Sequence, residues 1–244
     1  MENISQFKKA QEENLKEVRN WTTGENSHRQ YGNISSDIRS YEYRCGTGES
    51  ILNIAEKKHA AHPERPVAIL DFGCGENQAL RELRRETPDD MPIEMTGWSV
   101  GDPRNGEDRR FDDAHGIKFA DQTKVTETPP TNSYDIIISR MAFTHLPNPL
   151  QTMKKLYNAL RDDGLLFIDM GRRELKFKFK GGEKDLSVLF RGMKKAGIDF
   201  TCDDFRMSIR KNDKDLKFPG VTIATNAEDN GKAIYGIKKN DKKD

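Results

Sequence analysis

The sequence predicts a doubly wound α/β domain built on a mostly parallel sheet. The first observation is a set of short apolar runs without alternation, such as VAIL at residues 67–70 and YDIIIS at residues 134–139. Runs of this kind are typical of strands that are covered on both faces. The second observation is that helical patterns separate these runs along the chain. Strands that alternate with helices favour parallel pairing through right-handed crossovers, with helices on both faces of the sheet.

Five strands and two clear helical patterns are predicted between residues 67 and 170. The strands are expected at residues 67–72, 93–99, 117–120, 134–139 and 165–170. A helix is expected near residues 77–86, because apolar residues recur there at helical spacing. The apolar stripe of the later helix consists of Leu150, Met153, Leu156 and Leu160. Gly164 follows this stripe and is expected to end the helix.

The chain before the first strand is polar and is predicted to form an N-terminal helical cap. Its helices are expected near residues 7–18 and 51–60, with a tyrosine-rich stretch between them. The two prolines of HPERP then interrupt the chain. We therefore predict a cap over residues 1–62 and a sheet domain over residues 63–240. The cap is either a lid that closes over a substrate or a plain helical buttress.

The pattern changes after residue 170. A helix is expected near residues 186–196, and the strand-like runs 198–209, 220–225 and 233–239 are predicted to add antiparallel strands at the edge of the sheet. The basic stretch GRRELKFKFK at residues 171–180 alternates lysine with phenylalanine. Such lysines either protect an exposed sheet edge from aggregation or form an anion-binding lip beside the active site.

Composition limits the classes of function. Lys plus Arg total 41 against 40 for Asp plus Glu, so no overall charge attracts nucleic acid or a membrane surface. Three cysteines, Cys45, Cys74 and Cys202, show no zinc or disulfide spacing. No signal peptide or membrane-spanning run is present in the sequence. We expect a soluble, cytoplasmic protein without a metal site, and neither a nucleic-acid nor a membrane partner.

The segment DFGCGEN, residues 71–77, carries the strongest functional signal. Gly73 and Gly75 allow a ligand to approach the backbone, and the following helix N-terminus can receive negative charge. A dinucleotide-binding turn needs a third glycine, and that position holds Gln78. An NAD-linked oxidoreductase is therefore disfavoured, whereas a ligand with a small carboxylate suits the turn.

These residues resemble the first motif of the class I S-adenosylmethionine-dependent methyltransferases. The later block NSYDIIISRMAFTHLPNPLQTMKKLYNALRDDGLLFIDM, residues 132–170, is similar to the stretch that contributes the fourth strand, a helix and the fifth strand in that family. The resemblance covers roughly the middle hundred residues. It implies a seven-stranded Rossmann-like sheet with an antiparallel C-terminal edge, and S-adenosylmethionine as the cofactor.

The resemblance implies a role for each residue of the glycine turn. The methionyl part of the cofactor would cross Gly73, Cys74 and Gly75, while Asp71 would hold its amino group. Asn77 would cap the helix and lie near the cofactor carboxylate. The alternative interpretation is that Asp71 and Asn77 serve only the local turn.

The ribose and adenine positions depart in part from the family. The family places an acidic residue at the end of the second strand, where this sequence has Ser99, which lacks the two acceptor oxygens of a carboxylate. Asp102 could reach back to replace it. Trp98 would either stack on the adenine or fill the core. Asp121 would accept a hydrogen bond from the adenine amino group, or else be a solvated loop residue.

Residues that follow the fourth and fifth strands are expected to face the crevice where ligands bind in open α/β sheets. They are Ser139, Arg140, Met141, His145, Asp169, Gly171 and Arg172. His145 is the candidate catalytic base, or a helix-start residue with one backbone hydrogen bond. Ser139 and Arg140 are candidate cofactor-binding residues, and Arg140 could instead bind an acidic substrate or pair with a surface carboxylate.

The predicted function is methyl transfer from S-adenosylmethionine by in-line displacement in this crevice. A small molecule is the expected acceptor, with a protein acceptor next. The alternative is a catalytically silent member of the same fold that binds the cofactor or a protein partner. The serine at the ribose position favours that alternative.

Overall fold

The computed structural model shows a seven-stranded sheet with helices on both faces. It describes residues 37–99, 102–121, 129–140, 142–145, 149–169, 177–179, 182–184, 186–202, 206–214, 216, 222–223 and 237–238. The strands of the main sheet are β1 (Val67–Phe72), β2 (Ile93–Ser99), β3 (Ile117–Asp121), β4 (Tyr134–Arg140), β5 (Leu160–Asp169), β8 (Asp199–Cys202) and β9 (Arg206–Arg210).

The strand order is β3-β2-β1-β4-β5-β9-β8. Strands β1 to β5 pair in parallel, whereas β9 runs antiparallel to both β5 and β8. This arrangement confirms the predicted mostly parallel, seven-stranded sheet with an antiparallel edge. All six side chains of β1 are buried, as the unbroken apolar run predicts for a central strand.

The helices cover two separate apolar clusters, one on each face of the sheet. Their bounds are α1 (Ile38–Cys45), α2 (Ile51–Ala61), α3 (Gln78–Glu86), α4 (Gly106–Ala114), α5 (Pro149–Ala159) and α6 (Leu186–Lys195), and a 3-10 helix spans Ala142–His145. In the described parts of the chain, no helix has the length and apolar character needed to cross a membrane.

Helix α1 was not predicted from the sequence. Its buried residues Ile38, Tyr41 and Cys45 lie on one face, Asp37 caps its start through the Ser40 amide at 2.6 Å, and Gly46 ends it in the left-handed conformation. Buried residues of α1 and α2 pack in the same cluster as those of β1, β2 and β4. These two helices of the predicted cap therefore share the core of the sheet domain. The other predicted cap helix, near residues 7–18, lies outside the described residues.

The predicted boundary between the later helix and the fifth strand was wrong. Helix α5 ends at Ala159, and Leu160 already pairs with Tyr134 in β5. The next paired residue of β5 is Leu165, opposite Ile136, so the strand is irregular between them. Gly164 lies in this irregular stretch, where a Cβ atom would be 2.8 Å from the Arg161 carbonyl oxygen. The glycine is therefore needed inside the strand and does not end the helix.

The C-terminal runs are also arranged differently from the prediction. The predicted run at residues 198–209 contributes to two strands of the main sheet, β8 and β9. The later strands β10 (Thr222–Ile223) and β11 (Ile237–Lys238) do not join this sheet and pair with each other in a separate antiparallel sheet. Part of the lysine and phenylalanine stretch forms β6 (Phe177–Phe179), which pairs with β7 (Gly182–Lys184) and not with the main sheet.

Candidate active site

The predicted site residues that the structure describes lie at the carboxyl ends of the parallel strands, which we call the carboxyl edge of the sheet. The strand register brings their ends together: it pairs Phe72 with Trp98, Ser99 with Asp121, and Arg140 with Asp169. In an open α/β sheet, this edge is where ligands bind. The structure therefore brings the described candidates together, and ligand binding by them stays a prediction.

The glycine turn after β1 is fixed from two sides. The amides of Gly73 and Cys74 donate to the Trp98 carbonyl oxygen at 2.6 and 3.3 Å. Gly73 has a φ of 85°, and a Cβ atom there would lie 2.5 Å from the Ala142 Cβ atom. Gly75 has a φ of 54°, but a Cβ atom there would meet nothing within 4 Å. Gly73 thus packs against the protein, whereas Gly75 leaves its surface open to a ligand.

Asp71 is a completely buried carboxyl group beside this turn. Burial raises the pKa of Asp71 to about 7, and the Tyr41 hydroxyl group lowers this pKa only in part. The geometry of the Tyr41 group falls short of a hydrogen bond, and neither carboxylate oxygen of Asp71 accepts one from the described residues. A buried carboxylate in this state is destabilising unless a ligand provides a partner. The tyrosine-rich segment was expected to form a lid or a buttress, but the position of Tyr41 beside Asp71 was not predicted, because α1 itself was not predicted.

Asn77 occupies the N-cap position of α3 but does not cap the helix. It has a φ of 67°, and its side chain forms no hydrogen bond to the helix amides, so the predicted cap was wrong. Its Nδ2 atom instead donates to the buried carboxylate of Asp112 at 3.0 Å. The side chain lies against Gly97 of β2, where any Cβ atom would overlap it. Contact between Asn77 and the cofactor stays a prediction.

The ribose position contains no free carboxylate among the residues described there. Ser99 is buried at the end of β2. Both oxygens of Asp102 are held by Arg104, at 2.8 Å from Nε and 3.0 Å from Nη2. This interaction is the main reason that the pKa of Asp102 is lowered. Arg104 in turn lies over the Phe119 ring, 4.0 Å from its centroid, and also donates to Asp112. Asp102 is therefore engaged within the loop by Arg104, and its contact with the ribose stays a prediction.

Trp98 and Asp121 flank that position. The side chain of Trp98 packs in the apolar cluster with Phe72 and Phe143, and its Nε1 atom has no hydrogen-bond partner among the described residues. This packing supports its interpretation as a core residue. Asp121 is 9% exposed at the end of β3 and so is not a solvated loop residue. Binding of the adenine by either residue stays a prediction.

The two candidates at the end of β4 differ in how their polar groups are used. The Ser139 hydroxyl group donates to the Phe72 carbonyl oxygen at 2.8 Å, which links β4 to β1. The Arg140 Nε and Nη1 atoms are buried and make no hydrogen bond within the described structure. The nearest acidic group is Asp169 on β5, whose Oδ2 atom is 3.8 Å from Nε. Arg140 therefore retains donors for a ligand, whereas Ser139 has a structural partner.

The remaining candidates are only partly described. His145 lies at the end of the 3-10 helix that follows β4, but its side chain is outside the described parts of the structure. Its role as a base stays a prediction. Met141, Gly171 and Arg172 also lie outside the described residues. Ala142 was not considered from the sequence, although its contact with Gly73 positions the turn.

Comparison with known proteins identifies the class. A family described as "Methyltransferase domain" matches residues 39–195, which is more than half of the chain. The match confirms the class of protein predicted from the sequence, the class I S-adenosylmethionine-dependent methyltransferases. It begins within α1, so it includes both N-terminal helices that pack on the sheet.

Two curated relatives and one solved structure illustrate the similarity. Malonyl-[acyl-carrier protein] O-methyltransferase of Halalkalibacterium halodurans is 25% identical over 160 residues, which are 62% of this chain and 56% of the relative. The protein of the same name from Paenibacillus sp. strain JDR-2 is 28% identical over 143 residues, 56% of this chain and 50% of the relative. The chain thus spans about half the length of these relatives. The plantazolicin methyltransferase BpumL, crystallised with a monoazolic desmethylPZN analog and SAH, aligns with a TM-score of 0.42, 18% identity, and coverage of 69% of this chain and 62% of BpumL.

Proposed function

Since the chain belongs to the methyltransferase domain family, we propose that it transfers a methyl group from S-adenosylmethionine to a small-molecule acceptor. One observation carries the proposal. An open glycine turn at Gly75 lies beside a buried carboxyl group, Asp71, that accepts no hydrogen bond from the described residues. Both features lie at the carboxyl edge of the sheet, where a cofactor of this class is expected.

The residues of this edge fit the cofactor at its amino-acid end. Asp71 would accept from the ammonium group, which would stabilise the ionised carboxylate against the effect of burial. The backbone from Gly73 to Gly75 would line the methionyl chain, because Gly75 carries no side chain toward that surface. Cys74 is fixed by its amide and its buried side chain, so it would contribute shape and not charge.

The fit is weaker at the nucleoside end. Ser99 would offer a single hydroxyl group to the ribose, and Asp121 would accept from the adenine. Trp98 would form part of the floor of the adenine site from its position in the core. We expect binding energy to come mainly from the methionyl half, where the turn and Asp71 lie.

When bound, S-adenosylmethionine supplies an electrophilic methyl group on a sulfonium centre. The chain's part is then to align an acceptor with that methyl group and to exclude water. The ends of β4 and β5 face the acceptor side, with Arg140 and Asp169 as their charged groups. His145 would serve as a base only for an acceptor that must lose a proton. The names of the curated relatives give an acceptor attached to a carrier protein, so a carrier-bound small acid is one candidate acceptor.

Calorimetry tests the proposal. The protein is titrated in separate experiments with S-adenosylmethionine, S-adenosylhomocysteine and NAD. We expect saturable binding of the first two and no binding of NAD, because Gln78 stands where a dinucleotide site needs its third glycine. Absence of binding by both sulfur nucleosides would remove the proposed function.

A second candidate function is a cofactor-binding protein without transferase activity. The engagement of Asp102 by Arg104 favours it, because the ribose then lacks its usual two-acceptor partner. Incubation with methyl-labelled cofactor and cell extract separates the two functions. Label in small metabolites supports the transferase, label in protein indicates a protein acceptor, and binding without any transfer supports the second candidate.

A further inference from the structure

Arg140 is an incompletely hydrogen-bonded cation among the residues described at the carboxyl edge. Its side chain is 11% exposed, and its Nε and Nη1 atoms are buried without a hydrogen-bond partner in the described parts of the chain. A guanidinium group has five N–H donors and remains charged in proteins. Burial of such a group without hydrogen bonds is unfavourable, so a site that keeps it is a candidate anion-binding site.

Neighbouring groups do not satisfy Arg140. The Asp169 carboxylate is 3.8 Å from Nε, which is a loose ion pair and beyond a hydrogen bond. The Ser139 hydroxyl group is committed to the Phe72 carbonyl oxygen. The Cys45 thiol of α1 donates to the Ser139 carbonyl oxygen at 3.6 Å and does not bond to the guanidinium group. Asp169 balances the charge but leaves the N–H groups of Nε and Nη1 for a ligand.

The Arg140 side chain points away from the strands that carry the predicted cofactor-binding residues. The sheet order places β1, β2 and β3 on one side of β4 and places β5 on the other. The methionyl, ribose and adenine positions at Asp71, Ser99 and Asp121 all belong to the first side. The Arg140 guanidinium group lies toward Asp169 on the second side. A ligand group bound by Arg140 would therefore belong to the acceptor.

We infer that the methyl acceptor carries a carboxylate group and that Arg140 binds it through a charge-assisted hydrogen bond from Nε or Nη1. Such a bond is stronger than one between neutral groups, and the planar guanidinium group orients the carboxylate. This inference rests on the proposed function and names the chemical class of its substrate. It assigns Arg140 to the acceptor, in place of the cofactor carboxylate that was one of its sequence-based roles.

The test uses protein saturated with S-adenosylhomocysteine and titrated with malonate or succinate, with the corresponding diamides as neutral controls. We expect saturable binding of the carboxylates and none of the diamides. Arg140→Gln should weaken carboxylate binding at least tenfold while it changes the Kd of S-adenosylhomocysteine less than threefold. Arg140→Lys should give an intermediate loss, because lysine keeps the charge but not the planar donor geometry.

Arg210→Gln is the matched control, because it removes the same charge from an exposed arginine at the opposite edge of the sheet. Equal carboxylate binding by wild type and Arg140→Gln, or no carboxylate binding by wild type, would overturn the inference. So would a tenfold loss of S-adenosylhomocysteine binding in Arg140→Gln, which would assign the guanidinium group to the cofactor. If wild type binds no S-adenosylhomocysteine, the proposed function fails separately, and carboxylate titration of the unliganded protein still decides the role of Arg140.

Discussion

The amino and carboxyl edges of the central sheet, where the parallel strands begin and end, differ in how their buried carboxyl groups are hydrogen-bonded. At the amino edge, Asp135 is 2% exposed, yet it accepts from Arg65 at two positions (both 2.8 Å), from Arg161 at 2.6 Å and from the Ala68 amide at 2.9 Å. At the carboxyl edge, Asp71 is equally buried and accepts no hydrogen bond from the described residues. The first edge is bonded internally, whereas the second keeps polar groups for a ligand.

The pKa values follow the same division. Burial alone would raise the pKa of Asp135, but the hydrogen bonds from Arg65 and Ala68 and the charges of Arg161 and Arg65 together lower it. Burial dominates at Asp71 and raises its pKa to about 7. Burial by itself therefore does not indicate function. A buried charge that the protein leaves without hydrogen bonds is the better indicator of a binding site.

The largest expected effect is on stability at the amino edge. Asp135→Asn would leave two arginines without their shared carboxylate, and we expect a loss of about 3 kcal/mol in the free energy of unfolding. Asp71→Asn removes a buried charge that the described residues leave without a hydrogen bond, so it should raise this free energy at pH 7, because burial opposes the ionisation of Asp71. Urea denaturation of both variants measures the contrast. An equal loss of unfolding free energy in the two variants would contradict the difference proposed between the two edges.

The next effect is on the pH dependence of stability, which should have opposite signs for Asp71 and Asp135. The pKa of Asp71 is raised in the folded state, so its contribution to stability falls as pH rises from about 4 to about 7, by at most about 1.4 kcal/mol per pH unit. The pKa of Asp135 is lowered, so its contribution is present above pH 4 and is lost as pH falls below that value. Subtracting the unfolding free energies of Asp71→Asn from those of wild type isolates the first slope.

The ionisation of Asp71 should also control the affinity for the cofactor. Ionised Asp71 is the form that accepts from an ammonium group, so the affinity for S-adenosylhomocysteine should rise with pH until it levels off above about pH 7. Asp71→Asn should bind more weakly and lack the part of this dependence that comes from Asp71. A wild-type affinity that is constant between pH 5.5 and 8 would argue against contact between Asp71 and the cofactor.

The smallest effect concerns two glycines in similar surroundings. Gly75 and Gly116 both have left-handed φ values, 54° and 68°, and a Cβ atom at either would meet nothing within 4 Å. Alanine at each position should lower stability by about 1 kcal/mol through backbone strain. Only Gly75→Ala should also weaken S-adenosylhomocysteine binding, by tenfold or more, in calorimetry. Equal binding by the two variants would mean that the turn does not line the ligand.

The sequence predicted the sheet well, because strands that are buried on both faces appear as apolar runs without alternation. The centres of β1 and β4, residues 67–70 and 136–138, are apolar without alternation, and the bounds of both strands agree with the prediction to within one residue. Helix α1 also left a signal, since Asp37 and Gly46 are cap residues and its buried side chains recur on one face. The polar stretch around the tyrosines obscured that signal.

The hydrogen-bond partners of the candidate site could not be read from the sequence. Ser139 bonds to a carbonyl oxygen 67 residues away, and Asn77 bonds to an aspartate 35 residues away. Such partners depend on strand order and on the close approach that Gly97 allows. The sequence therefore predicted which residues lie together at the ends of the strands, but not which of their polar groups are still available to a ligand.

A crystal structure of the complex with S-adenosylhomocysteine tests the central comparison most directly. We predict that the ligand's amino group will lie within hydrogen-bond distance of Asp71, that its methionyl chain will cross Gly75, and that Asp135 will keep its arginine partners unchanged. A complex in which the ligand binds elsewhere, and Asp71 still accepts no hydrogen bond, would contradict the account.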